Sequence, residues 1–326
     1  MFFPIGDAPN PREFRAWVTW AIIVANVLVY VLLTLPLSMQ AASPQDPRIA
    51  EYVDMLHSTG LDGQTVRQAL GQLSVYDLFV FEHGFRPADP SIADLFSSLF
   101  LHAGFLHLAG NMFFLWIYGD NVEHRVGRIA YALLYLLTGV VATLGFAVID
   151  LTSQMPLVGA SGAISGVLGL YFVLFPRNRV KVFVALFPFL MDVFLVPARL
   201  VLGIFVVIDN LVPFLFGSHS GVAYGAHHGG FLAGVAFAVL GNTFDWGAKD
   251  PETGVRVPVR GRTVGPGGDR ARWRLETARR HLRQGQHAAA YQDLRAVLEL
   301  DPDPETEAIA RKALEVYEFR GRGFRG

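Results

Sequence analysis

Residues able to move protons or polarise a carbonyl lie inside long apolar stretches of this chain: His107 and Asn111, Ser161 and Ser165, Asp209 and Asn210, and His227 with His228. Hydrocarbon tolerates such groups only when they are partnered, so each is a candidate for function. A serine hydroxyl within reach of an imidazole is the smallest activated nucleophile, the ring taking the proton as the oxygen attacks a carbonyl. The Ser161 backbone N–H, the Asn111 amide and the His107 ring are donors that could hold the charge developing on that carbonyl oxygen. His107 and Asn111 share one helix face, being four residues apart. Ser161, Ser165 and Gly169 form a stripe of small residues, and His227, Gly230 and Gly234 form another. Small residues let membrane helices meet backbone to backbone, so the spacing predicts that these two helices touch, with Ser161 facing His227. His228 is turned from His227 by about 100° and points elsewhere. Taken singly, each residue also has a plain structural reading: a serine as packing contact, an asparagine as an interhelical hydrogen bond, a histidine as proton relay or ligand.

The elements that must position these groups follow from composition. Of the 326 residues only 17% are charged and mean hydropathy is +0.37, against about 25% charged in a soluble domain. The last 81 positions hold 28 of the charged residues, leaving 27 for the 245 before them, so two different physical objects are joined in one chain. Six apolar stretches approach the roughly 20 helical residues that cross a bilayer: 16–37, 99–118, 128–149, 157–175, 198–216 and 222–240. The first is too long for the apolar region of a signal peptide and reads as an anchor. Arg12, Arg15, Arg125, Arg128, Arg177, Arg179, Lys181 and Arg199 fall on one side of these spans with the basic tail; Arg48, Arg67 and Arg86 fall on the other. The bias of Lys and Arg toward cytoplasmic loops therefore puts both ends in the cytoplasm and the candidate site toward the outer side, as in a bacterial inner (plasma) membrane. The apolar run 182–196, interrupted by Pro188 and Asp192, reads as an interfacial connector.

A net charge of −1 gives no field for nucleic acid, and the absence of cysteine excludes disulfides, thiolate metal sites and cysteine nucleophiles. No His-Glu-x-x-His pair exists for zinc. Asp120 and Asp209 fall at opposite ends of their spans and cannot share a proton. No metal or cofactor is expected. The loop 38–94 is long and external, with short helices expected on the membrane surface. The expected organisation is a six-span domain over 1–245, a Gly/Pro/Arg-rich linker over 246–268, and a soluble helical module over 269–326. Within that module 284–302 resembles a single tetratricopeptide hairpin, with a further helix over 305–319. One such repeat buries little core alone, which leaves docking on a protein partner or a second copy, or else an unpartnered amphipathic tail.

Several motifs in order carry a wider resemblance. They are Leu101-His102-Ala103-Gly104, His107 with Asn111, Gly119, Glu123 and Gly127, then Gly159-Ala160-Ser161-Gly162, Leu174-Phe175-Pro176-Arg177, and Ala226-His227-His228-Gly229-Gly230 through Gly234. From about Ser97 to Gly241 the chain resembles the rhomboid intramembrane serine proteases. The resemblance implies an all-α, six-helix membrane fold and hydrolysis of a peptide bond in or beside another protein's transmembrane helix. It makes Ser161 the nucleophile, His227 the general base and acid, and His107 with Asn111 the oxyanion site. His102, Gly159, Gly162, Ser165, Gly230 and Gly234 become supporting residues. The chain departs from the family in lacking the Trp-Arg pair of the first external loop. It also has Ser165 where many members stack an aromatic ring on the histidine, so another contact, such as a hydrogen bond from Ser165, must orient that ring. No acid occupies the third place of a triad, Asp209 being the sole buried-looking one. The rival readings are an inactive rhomboid-like scaffold that binds membrane helices, and a small transporter with broken helices.

Overall fold

In the computed structural model the described residues are 2–8, 14–186, 190–212, 223–243, 266–300, 302 and 304–322. They form two compact units, Met1–Leu240 and Gly241–Gly326. In the first, strand β1 (Phe2–Ala8) precedes helix α1 (Trp17–Ser38), four short helices α2 (Arg48–Ser58), α3 (Gly63–Gly71), α4 (Val75–His83) and α5 (Ile92–Ser97), then α6 (Phe105–Val126), α7 (Arg128–Ala147) and α8 (Ser161–Leu174). Strands β2 (Arg179–Leu186) and β3 (Leu190–Pro197) lead into α9 (Ala198–Ile204), which a π-helical stretch Phe205–Leu211 extends, and α10 (Tyr224–Thr243) follows. A helix therefore occupies each of the six apolar stretches. Among the described residues only α1 and α7 are both long and apolar enough to cross a membrane unaided; α8 and Ala198–Ile208 are shorter apolar helices. The end of the fifth stretch, from 213, and the start of the sixth, at 222, lie outside the described residues.

The outward faces are apolar. Val24, Leu28, Leu32 and Leu35 of α1 are exposed, as are Ile129, Leu133, Leu137 and Leu144 of α7, whereas Thr19, Asn26 and Thr34, and Thr138 and Thr143, are buried. Polar groups inside and aliphatic ones outside invert the pattern of a helix in water and suit a lipid surround. Inside, Asn26 Nδ2 donates to the Ile22 carbonyl at 2.9 Å and the Thr143 hydroxyl to the Gly139 carbonyl at 3.0 Å. The widened turn of α1 at Tyr30–Thr34 precedes Pro36, which lacks the N–H for an ordinary bond to Leu32.

Two distant carboxylates tie this domain together. Glu123, fully buried near the end of α6, accepts from the backbone N–H groups of Val18 and Thr19 at 3.1 and 2.7 Å and from the Thr19 hydroxyl at 2.8 Å. It thereby caps the first turn of α1, which has no side-chain cap of its own. Gly127, at φ 86°, alone links α6 to α7, a reversal that the left-handed region makes possible. Asp7 of β1 is buried and accepts from Asn121 Nδ2 at 2.7 Å and from the Tyr171 hydroxyl at 2.5 Å.

The all-α expectation is corrected here. β1, β2 and β3 form a three-stranded antiparallel sheet in that order, with Val184 opposite Phe2 and Asp192, and Val180 opposite Asp7 and Val196. The run 182–196, expected as a connector, supplies most of its hairpin. The cause is a two-residue period: Val180, Val182 and Val184 are buried in the main core while Arg179 and Lys181 face out. In the second unit α11 (Pro266–Arg283), α12 (His287–Glu299) and α13 (Pro304–Arg322) pack around Ala271, Leu275, Ala278, Leu294, Val297, Ala310 and Leu314. Asp293 there accepts from Arg274 at 2.7 Å and lies 2.8 Å from His281 Nδ1. The expected linker lies outside the described residues up to 265, and its last three positions open α11.

The membrane domain closes through glycines. A Cβ on Gly230 would strike the Gly162 carbonyl, one on Gly234 the Gly166 carbonyl, and one on Gly162 would stand 2.7 Å from the Ala142 Cβ of α7. Gly234→Ala should therefore force α8 and α10 apart, at a cost of about 2 kcal/mol, and lower the thermal midpoint in detergent. Gly110→Ala meets nothing within 4 Å and gains helix propensity, so it should leave the midpoint unchanged or raise it. Equal midpoints for the two variants would contradict this packing.

Candidate active site

Ser161 is the first residue of α8, not a residue several positions into a helix. Pro156 and Gly159 explain the difference: 156–160 is not helical, and Gly159 has φ 121°, which no helix accommodates. The first bond of the helix runs from Ile164 N–H to the Ala160 carbonyl at 2.9 Å, so the amides of Ser161, Gly162 and Ala163 stand in the unsatisfied first turn. The Gly159 N–H donates to the Ser98 carbonyl at 2.8 Å. Its positive φ turns the chain close beside His107: a Cβ there would lie 2.7 Å from His107 Cε1 and 2.9 Å from Nε2.

His227, near the start of α10, places Nε2 2.9 Å from Ser161 Oγ. This contact spans 66 positions of sequence and requires the close approach of α8 and α10. The contacting stripe of α8 is Gly162, Gly166 and Gly169, not the expected Ser161, Ser165 and Gly169. One position of rotation separates them, about 100°, and it turns Ser161, Ser165 and Leu168 toward a cavity. Gly230 and Gly234 do meet α8, as expected.

That cavity holds about 840 Å³ and is lined by His107, Asn111, Ser161, Ser165 and His227 among mostly apolar neighbours, including Leu106, Phe114, Phe146 and Met155. Asn111 is 8% exposed, and its side-chain nitrogen has no hydrogen-bond partner in the protein. A buried amide without a partner is costly, and here it belongs to a residue of the cavity wall. His102 stands behind the cavity, fully buried, with its ring edge-on to His107 at 5.2 Å between centroids. Tyr76 fixes it: the Tyr76 hydroxyl donates to the His102 carbonyl at 2.9 Å, and the His102 N–H donates to that hydroxyl at 3.1 Å.

His228 does not line the main cavity. It shares a small hollow with Ser165, His227, Phe205, Val206 and Phe231. Phe205 and Phe231 are aromatic neighbours of His227 that the sequence reading missed. Phe231 was readable in principle, because it stands four residues after His227 on the same face; Phe205 arrives only through the tertiary position of α9. Asp209 belongs to the helical stretch after Ile204, and its side chain lies outside the described residues. Among the described residues, no three His, Asp or Glu side chains stand together in a way that could hold a metal ion.

One wall of the cavity is braced from the short helices α2 to α5. Phe85 exchanges backbone hydrogen bonds with Leu157 at 3.1 and 2.9 Å. Arg86, 9% exposed, pairs with Glu51 at 2.9 Å and Asp89 at 2.8 Å, reaches Gln154 at 3.3 Å and lies over the Phe81 ring. Phe81 packs with Met55, Leu56 and Val66 in a small core of its own. Asp46, nearby in sequence, is held down to about 2 by the hydrogen bonds of Arg48, so that exposed pair stays charged until strongly acidic pH.

Residues 89–243 match the family model for the Rhomboid domain. Over 246 residues the chain is 25% identical to RHOMBOID-like protein 6, mitochondrial, of Arabidopsis thaliana, covering 70% of this chain and 69% of that protein. It is 29% identical over 243 residues to RHOMBOID-like protein 4 of the same plant, covering 68% and 52%. A rhomboid protease candidate of Bacillus subtilis (strain 168) is 34% identical over 86 residues, 26% of this chain and 43% of that protein.

The place of Gly159 against His107 can be checked directly. Gly159→Ala should displace the ring and change the His107 Cε1–H resonance in histidine-labelled protein. Gly104→Ala, with nothing within 4 Å of its Cβ position, should leave the resonance where it is. An unmoved signal in the Gly159 variant would remove Gly159 from the site.

Proposed function

Since the chain belongs to the rhomboid family through residues 89–243, a family of membrane-embedded proteins, we propose that it is an intramembrane serine endopeptidase. The observation that carries this reading is the 2.9 Å contact between Ser161 Oγ and His227 Nε2 on the wall of a cavity that also contains the unpartnered amide of Asn111. In the proposed reaction Ser161 Oγ attacks the carbonyl carbon of the scissile bond and its proton passes to His227 Nε2. The carbonyl oxygen, now negative, accepts from Asn111 Nδ2, the His107 ring and the Ser161 N–H. Collapse of that intermediate breaks the C–N bond, and His227 returns the proton to the leaving amine. Water then attacks the acyl carbon and gives a proton to His227; collapse breaks the bond to Ser161 Oγ, which takes that proton back as the new carboxyl terminus leaves. No cofactor takes part in these steps.

The substrate is a peptide segment in or next to another protein's transmembrane helix. It must unwind locally, because helical carbonyls are already engaged and a helix cannot present an extended bond to Ser161. Small or helix-breaking residues near its outer end are therefore expected. α1, α6, α7, α8, α9 and α10 make up the six spans of this reading. The 14 residues of α8 rise only about 21 Å, and the extended segment before Ser161 completes that crossing. The bias of Lys and Arg puts the chain ends in the cytoplasm, and the choice of a bacterial plasma membrane rests on that bias alone.

A serine-directed fluorophosphonate tests the reading against an inactive helix-binding scaffold. Wild-type protein in detergent should be labelled and should cleave a model transmembrane substrate, and Ser161→Ala and His227→Ala should do neither. His228→Ala should keep most of both, since its ring is turned toward the hollow beside Phe231. Folded wild-type protein that neither labels nor cleaves favours the scaffold. An inactive His228 variant beside an active His227 variant overturns the choice of base.

The oxyanion assignment has its own measurement. Loss of one such donor costs about 10²-fold in turnover or somewhat more, so Asn111→Ala should slow cleavage by about that factor with little change in thermal stability. Wild-type turnover in this variant would sink the assignment.

A further inference from the structure

We propose that the outer face of the three-stranded sheet docks on the bilayer surface and takes anionic phospholipid headgroups. This rests on the reading of α8 and α9 as membrane spans, and the sheet is joined to both. β2 begins at Arg179 shortly after α8 ends at Leu174, and β3 ends at Pro197 directly before α9 begins at Ala198. If those helices cross the bilayer, the sheet stands at the level of their ends.

The register decides what the outer face presents. Lys181 pairs with Leu195, Phe183 with Val193 and Arg179 with Pro197, so these residues share the face opposite to the buried Val180, Val182 and Val184. Met191, Val193 and Leu195 are 65%, 44% and 51% exposed. Arg179 and Lys181 are exposed beside them, as are Arg177 and Arg199 at the two junctions. No carboxylate among the described residues forms an ion pair with Arg177, Arg179 or Lys181. The acids close in sequence lie elsewhere, Asp192 opposite Val184 on the other face and Asp7 buried.

Two physical limits then select the occupant. β3 is an edge strand, and its outward backbone groups need water or polar headgroups, which excludes the hydrocarbon core. Exposed aliphatic residues beside unpaired cations are ill placed in bulk water and well placed at the headgroup boundary, where apolar burial and attraction to anionic lipid add. A second copy pairing through β3 would instead bring Arg179 and Lys181 toward like charges.

The chain has no cysteine, so single probes can be placed in the full-length protein. Leu195→Cys, carrying an environment-sensitive dye in nanodiscs, should emit to the blue and be quenched by a headgroup-level spin label. The effect should grow when phosphatidylglycerol is added to a neutral bilayer, and Arg179→Glu with Lys181→Glu should abolish that growth. Leu137→Cys, on the exposed apolar face of α7, reports through a deep spin label whether the helices are embedded at all. Embedded Leu137 with Leu195 in water overturns the sheet proposal and leaves the membrane reading standing. Water at both positions overturns both. Disulfide dimers at Leu195 without lipid quenching assign the face to a second copy and also overturn the proposal.

Discussion

The backbone-to-backbone approach of α8 and α10 is the constraint on which the rest depends. Gly162 against Gly230 and Gly166 against Gly234 leave no room for a side chain between the helices. Only at that separation can an imidazole on one helix reach a hydroxyl on the other, because neither Ser161 nor His227 can extend further than its own short side chain. The same approach explains why the serine is not in the contact stripe. The glycines make the contact, and the serine, one position round the helix, faces open space where a peptide could lie. α7 completes the arrangement through Thr138 and Ala142, which fill what Gly166 and Gly162 leave open.

A fold made this way leaves few means of holding its ends, since lipid offers no hydrophobic drive between helices. The structure uses buried carboxylates with several donors each. Glu123 supplies the missing cap of α1 and binds α6 to it, and Asp7 binds the first strand to Asn121 of α6 and Tyr171 of α8. A buried charge tolerates no half-measures: fully hydrogen-bonded it specifies one arrangement, and without its partners it would be excluded. Asp7 thereby links the first strand to the helix whose opposite end carries Ser161.

The short helices α2 to α5 serve the site from the other side. Segment 153–158 has no helix to hold it, yet it lines the cavity and leads into Ser161. Phe85 pairs with its backbone and Arg86 reaches its Gln154, while Arg86 is itself clamped by Glu51, Asp89 and the Phe81 ring. A loop positioned by a small core of its own gives the cavity a fixed wall beside Ser161.

Helix placement, the approach of Ser161 and His227, and the turning of His228 away from Ser161 were all legible in the chain, because apolar runs and helical spacing are local properties. Asn111 and His107 were legible for the same reason, being one turn apart. The sheet was not: a run of 15 residues with a proline and an aspartate reads as an interfacial connector until its valines are counted by twos, and its partner strand lies more than 170 positions away. The exact face of α8 also escaped, since Ser161, Ser165 and Gly169 are as small as Gly162, Gly166 and Gly169, and size alone cannot tell which set touches. Glu123 was visible as a motif but its role as the cap of α1 was not, and Asp7 gave no signal at all. Each of these depends on which donor another element brings to it, and that is decided only when the chain has folded.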